Sequence, residues 1–170
     1  LMPIAAVKVF GYSSEQWSQL VAVMGLVGAV VSLGMGPMID KFGSKRMLIL
    51  NLVLIGIHAL MLAQTQYLWE DSTYVRVMLS IWIMLVPVTM VCMIALAMAI
   101  CSTRVSATQF AFYMSVANLG ASLGSEAYGR VAEQTTFVQH FTLMGLMVLG
   151  TLVAVLFYRS HDQLTETVGQ

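Results

Sequence analysis

The stretch GPMIDKFGSKR at residues 36–46, called here the hinge segment, joins two long apolar runs and decides how the chain folds. Gly36 and Pro37 interrupt the first run, one acid and three bases follow, and the second run begins at Met47. Glycine and proline are the strongest local signals for the end of a helix. We therefore predict a charged turn between two helices that are each long enough to cross a membrane.

The composition predicts that the chain is surrounded by lipid. Of its 170 residues, 59% are hydrophobic and only 9% are charged, whereas a soluble domain carries about 25% charged residues. Each crossing needs roughly 20 apolar residues, so the length allows about five crossings. The formal net charge is +0, which gives no reason to expect nucleic acid as a partner.

We predict an all-α fold, a polytopic membrane bundle of about five transmembrane helices. The expected parts are the end of a preceding helix with its loop (1–12), a five-span bundle (13–158) and a tail (159–170). The expected spans are residues 20–39, 47–65, 77–100, 107–128 and 138–158, with a polar loop at 129–140. Leu1 lies inside an apolar segment, which predicts that the chain is part of a longer protein.

Three pairs of residues have the spacing of a capping box, in which a side chain three residues into a helix bonds back to the residue that caps it. The pairs are Ser13 with Gln16, Ser106 with Gln109, and Thr136 with Gln139. Each pair predicts the start of a helix.

The basic residues are distributed unevenly between the two sides of the predicted bundle. One side holds Lys41, Lys45, Arg46, Arg104 and Arg159, and the other holds Lys8, Arg76 and Arg130. Cytoplasmic loops of membrane proteins carry an excess of lysine and arginine. We therefore predict an integral membrane protein with the hinge segment and the C-terminal tail in the cytoplasm.

Polar side chains inside the second span are candidates for contact with a solute. Asn51 and His58 are seven residues apart, so they share one face of a helix. Polar groups at this depth face the bundle interior or a water-filled cavity, because lipid cannot satisfy them. Two interpretations of His58 stay open: a proton carrier or solute contact, and a buried histidine bonded to a neighbouring helix.

The fourth span carries the most polar face in the chain. Gln109 and Tyr113 are four residues apart, and Asn118 continues a polar stripe at helical spacing. We predict that these three residues, together with Asn51 and His58, bind the substrate. Near the membrane, His58 and Glu126 are the local titratable candidates for coupling to protons.

An enzymatic site is not expected. His58 is the one histidine in the predicted spans that lies clear of the predicted loops, and no pair of acids lies within the spans, which argues against a nucleophile with its base or a set of metal ligands. Cys92 and Cys101 are nine residues apart, a spacing that fits neither a metal site nor a disulfide framework. We expect no cofactor and no metal.

The pattern Gly36-x-x-x-Asp40-Lys41-x-Gly43-x-Lys45-Arg46 resembles the cytoplasmic loop motif of the major facilitator superfamily. In that family the motif lies between helices two and three and, in weaker form, between helices eight and nine. Three spans and a tail follow the second span here, so the resemblance implies the C-terminal half, helices eight to twelve. It also implies that the six motif residues act as a conformational latch.

A second resemblance covers the start of the fourth span. The sequence SATQFA at residues 106–111, with Ser115 and the run from Asn118 to Gly120, is similar to helix eleven of the peptide–acetyl-coenzyme A transporter group. That group includes the bacterial anhydromuropeptide permeases. The resemblance implies a muropeptide or a related cell-wall compound as the solute, and the bacterial inner membrane as the location.

Together these resemblances imply a secondary active transporter, coupled or not coupled to protons, that moves a small polar solute by alternating access. Its partners would be membrane lipid, the solute, protons in the coupled case, and the missing N-terminal half of the same transporter. The alternative is a small five-span membrane subunit with a structural or partner-binding role.

Overall fold

The computed structural model describes residues 2–102, 105–132 and 134–157, which form six α-helices and a 3₁₀ turn. In chain order these are α1 (Met2–Lys8), α2 (Ser14–Phe42), α3 (Ser44–Gln64), the turn Gln66–Leu68, α4 (Ser72–Ile100), α5 (Ser106–Ala132) and α6 (Phe137–Phe157). The predicted all-α membrane bundle is confirmed. Helices α2, α3, α4 and α6 are long and apolar enough to cross a membrane.

Helix α5 differs from the other long helices in composition. Its 27 residues are enough to span the hydrocarbon layer. Because of its polar side chains, however, α5 is not one of the four described helices that are both long and apolar enough to cross a membrane. The fourth predicted span is therefore a helix, and its crossing of the membrane stays a prediction.

The bundle is built from two helix pairs. Helix α3 packs along α6, helix α2 packs along α4, and contact between α3 and α4 joins the pairs. Glycines allow the close approach within each pair: a Cβ atom on Gly145 would lie 2.8 Å from Cδ2 of Leu60, and one on Gly28 would lie 3.4 Å from Cγ of Pro87. In lipid, such close packing drives the association of helices because there is no hydrophobic effect between them.

Two apolar clusters lie at opposite ends of this bundle. One surrounds the start of α4 and consists of Met2, Ala5, Ala6, Leu62, Ala63, Val75, Met78, Leu79 and Phe141. The other lies near the hinge segment and consists of Met35, Met47, Leu48, Leu52, Val88 and Cys92. The two-turn helix α1, predicted as the end of a longer helix, is part of the first cluster.

Helix α2 continues through Gly36 and Pro37 and ends at Phe42, so the predicted break at these two residues is wrong. A proline removes one backbone N–H from a helix, and neighbouring groups in membrane helices compensate for that loss. The chain leaves the helical conformation only at Gly43, where φ is 87° and ψ is 142°. Glycine adopts this conformation without strain because it has no Cβ. One residue therefore separates α2 from α3.

The predicted polar loop at residues 129–140 is also too long. Helix α5 continues to Ala132 and α6 begins at Phe137, so His140 lies inside a helix. The start of α6 is capped as predicted: Oε1 of Gln139 accepts from the N–H of Thr136 at 2.9 Å, and Oγ1 of Thr136 accepts from the N–H of Gln139 at 3.4 Å. The capping box of Ser13 and Gln16 at the start of α2 is confirmed as well.

Candidate functional site

The residues of the predicted latch surround the one-residue turn between α2 and α3. Gly36, Asp40 and Lys41 belong to the end of α2, Gly43 is the turn, and Lys45 and Arg46 belong to the first turn of α3. Arg104, which was expected on the same side of the membrane, and the tail at 159–170 lie outside the described residues.

Most charges at this turn are opposite to those that would stabilise the two helix ends. A helix dipole favours bases near the C-terminus and acids near the N-terminus. Here Asp40 lies in the last turn of α2, whereas Lys45 and Arg46 lie in the first turn of α3. Asp40 is exposed and makes no ion pair with any residue that the structure describes. Local helix stability therefore does not explain Asp40 or Arg46.

Lys45 connects the start of α3 to the end of α6. Its Nζ donates a hydrogen bond to the backbone carbonyl of Leu156 at 3.3 Å. The last carbonyls of a helix lack partners within the helix, and the C-terminal end of the dipole attracts a cation. Lys41 has a different neighbour, since its Nζ lies 5.3 Å from the ring centroid of Phe42.

Asn51 belongs to α3, and its side chain, only 3% exposed, lies where α3 meets α4. Its Nδ2 donates to Oγ1 of Thr89 at 2.5 Å and to the backbone carbonyl of Leu85 at 3.4 Å. The Thr89 hydroxyl also donates to the Leu85 carbonyl, at 3.0 Å. These groups flank Pro87, where α4 lacks one backbone hydrogen bond. The Asn51 amide thus bonds α3 to α4 at its proline.

His58 lies two turns further along the same face of α3 and is 5% exposed. Its ring lies close to the backbone of Met78, and its centroid lies 6.1 Å from that of the Trp82 ring. Its Nε2 has no hydrogen-bond partner among the described residues. His58 is therefore buried against α4 with one ring nitrogen unpartnered, which is compatible with both interpretations of this residue.

The other predicted substrate contacts lie on α5. Gln109 and Tyr113 are half-buried, and Asn118 is exposed. Oε1 of Gln109 accepts from the backbone N–H of Ser102 at 2.7 Å. The helix start predicted by the pair Ser106 and Gln109 is confirmed, since α5 begins at Ser106. The capping box itself is wrong, because the Gln109 side chain bonds to Ser102, four residues before Ser106.

The five predicted substrate contacts form two separate groups. Asn51 and His58 are buried on the face of α3 that meets α4. Gln109, Tyr113 and Asn118 belong to α5, a helix on which no described residue is buried. Across the described part of the chain, no hydrogen bond joins one group to the other. A solute could touch both groups only if α5 and α3 lined the same cavity.

A polar cluster that the sequence did not indicate connects α5 to α6. His140 is 4% exposed, with its Nδ1 3.1 Å from the Tyr128 hydroxyl and its Nε2 2.5 Å from Oγ1 of Thr135. The capping signal at Thr136 could have revealed it, since it places residue 140 in the first turn of a helix. Glu126, a candidate for proton coupling, instead pairs with Arg130 on the exposed surface at 2.5 Å.

Comparison with known proteins identifies the family. The model of the Major Facilitator Superfamily matches residues 1–125, which include α1 to α4, the hinge segment and most of α5. No curated protein and no solved structure matches the chain. The family consists of transporters and not of enzymes, and four described helices are suited to cross a membrane. Because the family match covers well over half of its length, this integral membrane chain belongs to the Major Facilitator Superfamily.

Proposed function

We propose that the chain is part of a secondary active transporter that carries a small polar solute by alternating access. The observation that supports this most is the polar face of α5, where Tyr113 and Asn118 lie on a helix with no buried described residue. Polar residues in membrane helices normally face a water-filled path, because their exposure to lipid is costly. The remaining bundle leaves this face available to a solute.

In this proposal the chain supplies helices eight to twelve, and α1 is the end of helix seven. Support comes from the order of elements, since the motif lies between α2 and α3 and three long helices follow. The missing N-terminal half would close the solute path on its other side. The solute would bind near the middle of the membrane, between two halves that rock against each other.

The hinge segment would act as the latch on the cytoplasmic side. Asp40 and Arg46 are exposed, and their charges oppose the dipoles of their own helices. A partner outside these two helices would compensate for this placement. In one state of the cycle that partner would be the opposing half, and in the other state the contact would be broken.

Replacing Asp40 with asparagine tests the latch. The change keeps the size of the side chain and removes its charge, so we expect the initial uptake rate to fall about tenfold, which corresponds to about 1.4 kcal/mol. Uptake is measured in vesicles that contain equal amounts of the full-length protein. Glu70→Gln, an exposed acid at the opposite end of the bundle, is the matched control. A normal rate for Asp40→Asn would exclude a latch role for this carboxylate.

Asn118→Ala tests the solute-binding face of α5. Loss of one hydrogen bond of about 1 kcal/mol should raise the apparent KM roughly fivefold, with little change in protein stability. Ser115→Ala is the control on the same helix, because the Ser115 hydroxyl is already bonded to the carbonyl of Ala111 at 2.8 Å. An unchanged KM for Asn118→Ala would remove this residue from the solute path.

The solute that we propose is a muropeptide or a related cell-wall compound, carried across the bacterial inner membrane. The similarity of residues 106–120 to helix eleven of the anhydromuropeptide permeases supports this proposal. The test is an uptake screen of the full-length protein with a muropeptide, simple sugars and drugs. Repeating each assay with a protonophore shows whether transport is coupled to protons. Preferential uptake of a simple sugar or a drug would refute the muropeptide proposal.

A further inference from the structure

A cavity of about 560 Å³ opens at the end of the bundle that is far from Gly43. Its walls are formed by the loop before α2, the first turns of α2 and the start of α4. Gln19 in this wall is about 36 Å along α2 from Gly43, at 1.5 Å per residue. The volume lies within the range of about 300–1,000 Å³ that is usual for small-molecule sites. The cavity is thus large enough for a ligand and separate from the latch.

Arg76 is the only charged side chain among the described residues that line this cavity. It is exposed, and its guanidinium makes neither a hydrogen bond nor an ion pair with any described residue. Gln16, Gln19 and Ser72 add polar groups to the same wall. A guanidinium has five donors in a planar fork, which matches the oxygens of a carboxylate or a phosphate.

The acids at the starts of α2 and α4, Glu15 and Asp71, form no ion pair with Arg76. Oδ1 of Asp71 accepts from the backbone N–H groups of Thr73 at 2.8 Å and Tyr74 at 3.2 Å, so it caps α4. Oε1 of Glu15 accepts from Nε2 of Gln19 at 3.3 Å. Both carboxylates bond within their own helix ends, and the guanidinium donors of Arg76 stay available to a ligand.

The cavity also has an apolar wall. Phe10, Tyr12 and Leu20 contribute to it. The Phe10 ring is held in place by an edge contact with Trp69 at 5.4 Å and a stacked contact with Phe141 at 6.4 Å between centroids. A fixed aromatic wall beside a cation suits a molecule with one anionic group and an apolar or sugar-like surface.

We propose that this cavity binds the carboxylate or phosphate group of an amphipathic molecule, with Arg76 as the residue that pairs with the anion. Phe10 and Tyr12 would contact the apolar part of the same molecule. The proposal does not depend on transport, because it concerns binding at one end of the bundle. The anionic group could belong to a solute or to a phospholipid headgroup, and these sources can be distinguished.

The test measures protection of a cysteine in the cavity wall of the full-length protein. Ser72→Cys is introduced into a background that lacks the two native cysteines, by Cys92→Ala and Cys101→Ser. The rate of labelling by a thiol reagent is then measured with N-acetylmuramate, which carries a carboxylate, and with neutral N-acetylglucosamine. We expect protection by N-acetylmuramate alone, or protection by phosphatidylglycerol vesicles but not by phosphatidylcholine vesicles if a headgroup is the ligand.

The role of Arg76 is tested by substitution in the same labelled protein. Arg76→Gln should raise the concentration of anion that gives half-protection by about tenfold or more, because charge-assisted hydrogen bonds are lost. Arg76→Lys keeps the charge and should recover part of the effect. Arg130→Gln, an exposed arginine outside the cavity, should change nothing. Protection that survives Arg76→Gln, equal protection by the neutral sugar, or no protection by either anion would overturn the proposal.

Discussion

Replacing Gly145 with leucine should lower the thermal stability of the protein strongly, whereas the same change at Gly150 should have little effect. Gly145 is buried where α6 meets α3, and its added Cβ would lie 2.8 Å from both Cδ2 and Cγ of Leu60. The backbone carbonyl of Gly56 is only 3.4 Å from the same position. Overpacking a close contact costs about 1–3 kcal/mol and occasionally more. The contact between α3 and α6 should therefore open.

The comparison of two glycines on one helix separates packing from helix propensity. A Cβ added to Gly150 would have no atom of a neighbouring element within 4 Å, so a leucine there meets open space. Both variants gain the same helix-forming residue, and only the variant at Gly145 meets a neighbour. The measurement is the fraction of detergent-solubilised full-length protein that stays monodisperse after heating. Equal losses for the two variants would contradict the close approach of α3 and α6.

Replacing Gly43 with alanine should also destabilise the protein, by about 1–3 kcal/mol, because φ of 87° and ψ of 142° are strained for residues that carry a Cβ. The alternative is that α2 and α3 change their relative direction to relieve this strain. Either outcome should reduce the stability of the bundle and the rate of transport. The effect arises from backbone conformation alone, because nothing lies within 4 Å of the added Cβ.

Gly36→Ala is the matched control for this experiment. Gly36 is the first residue of the same motif, but it lies inside α2 with open space around it. Alanine favours a helix over glycine by about 1 kcal/mol, so Gly36→Ala should leave stability unchanged or raise it. Stability is measured by the same heating assay. A Gly43→Ala protein as stable as Gly36→Ala would refute the turn at Gly43.

The sequence predicts the features that are decided locally. The capping pairs at Ser13 and Thr136 mark true helix starts because the bonds involve residues only three positions apart. The effect of Pro37 could not be predicted in this way, since losing one backbone bond ends a helix only if the surroundings fail to compensate. Composition suffices for the prediction of lipid surroundings, because it concerns the chain as a whole.

The same distinction applies to the candidate site. Helical periodicity places Asn51 and His58 on one face of α3. It does not tell which helix that face meets. The bond from Asn51 to Thr89 and the contact of His58 with the Trp82 ring become visible only when α4 is packed against α3. The polar stripe on α5 is likewise visible in the sequence, whereas its lack of buried residues depends on how the other helices pair.

The single residue between α2 and α3 leaves the two helices almost no freedom to slide past each other. Consecutive Cα atoms are about 3.8 Å apart, so the Cα atoms of Phe42 and Ser44 can never be separated by more than about 7.6 Å. Any axial movement of α2 must therefore carry the start of α3 with it. Helix α6 is linked to the same end of α3, because it packs along α3 and its Leu156 carbonyl accepts from Lys45. We therefore expect a movement of α2 at this turn to be accompanied by movement of α3 and of the end of α6.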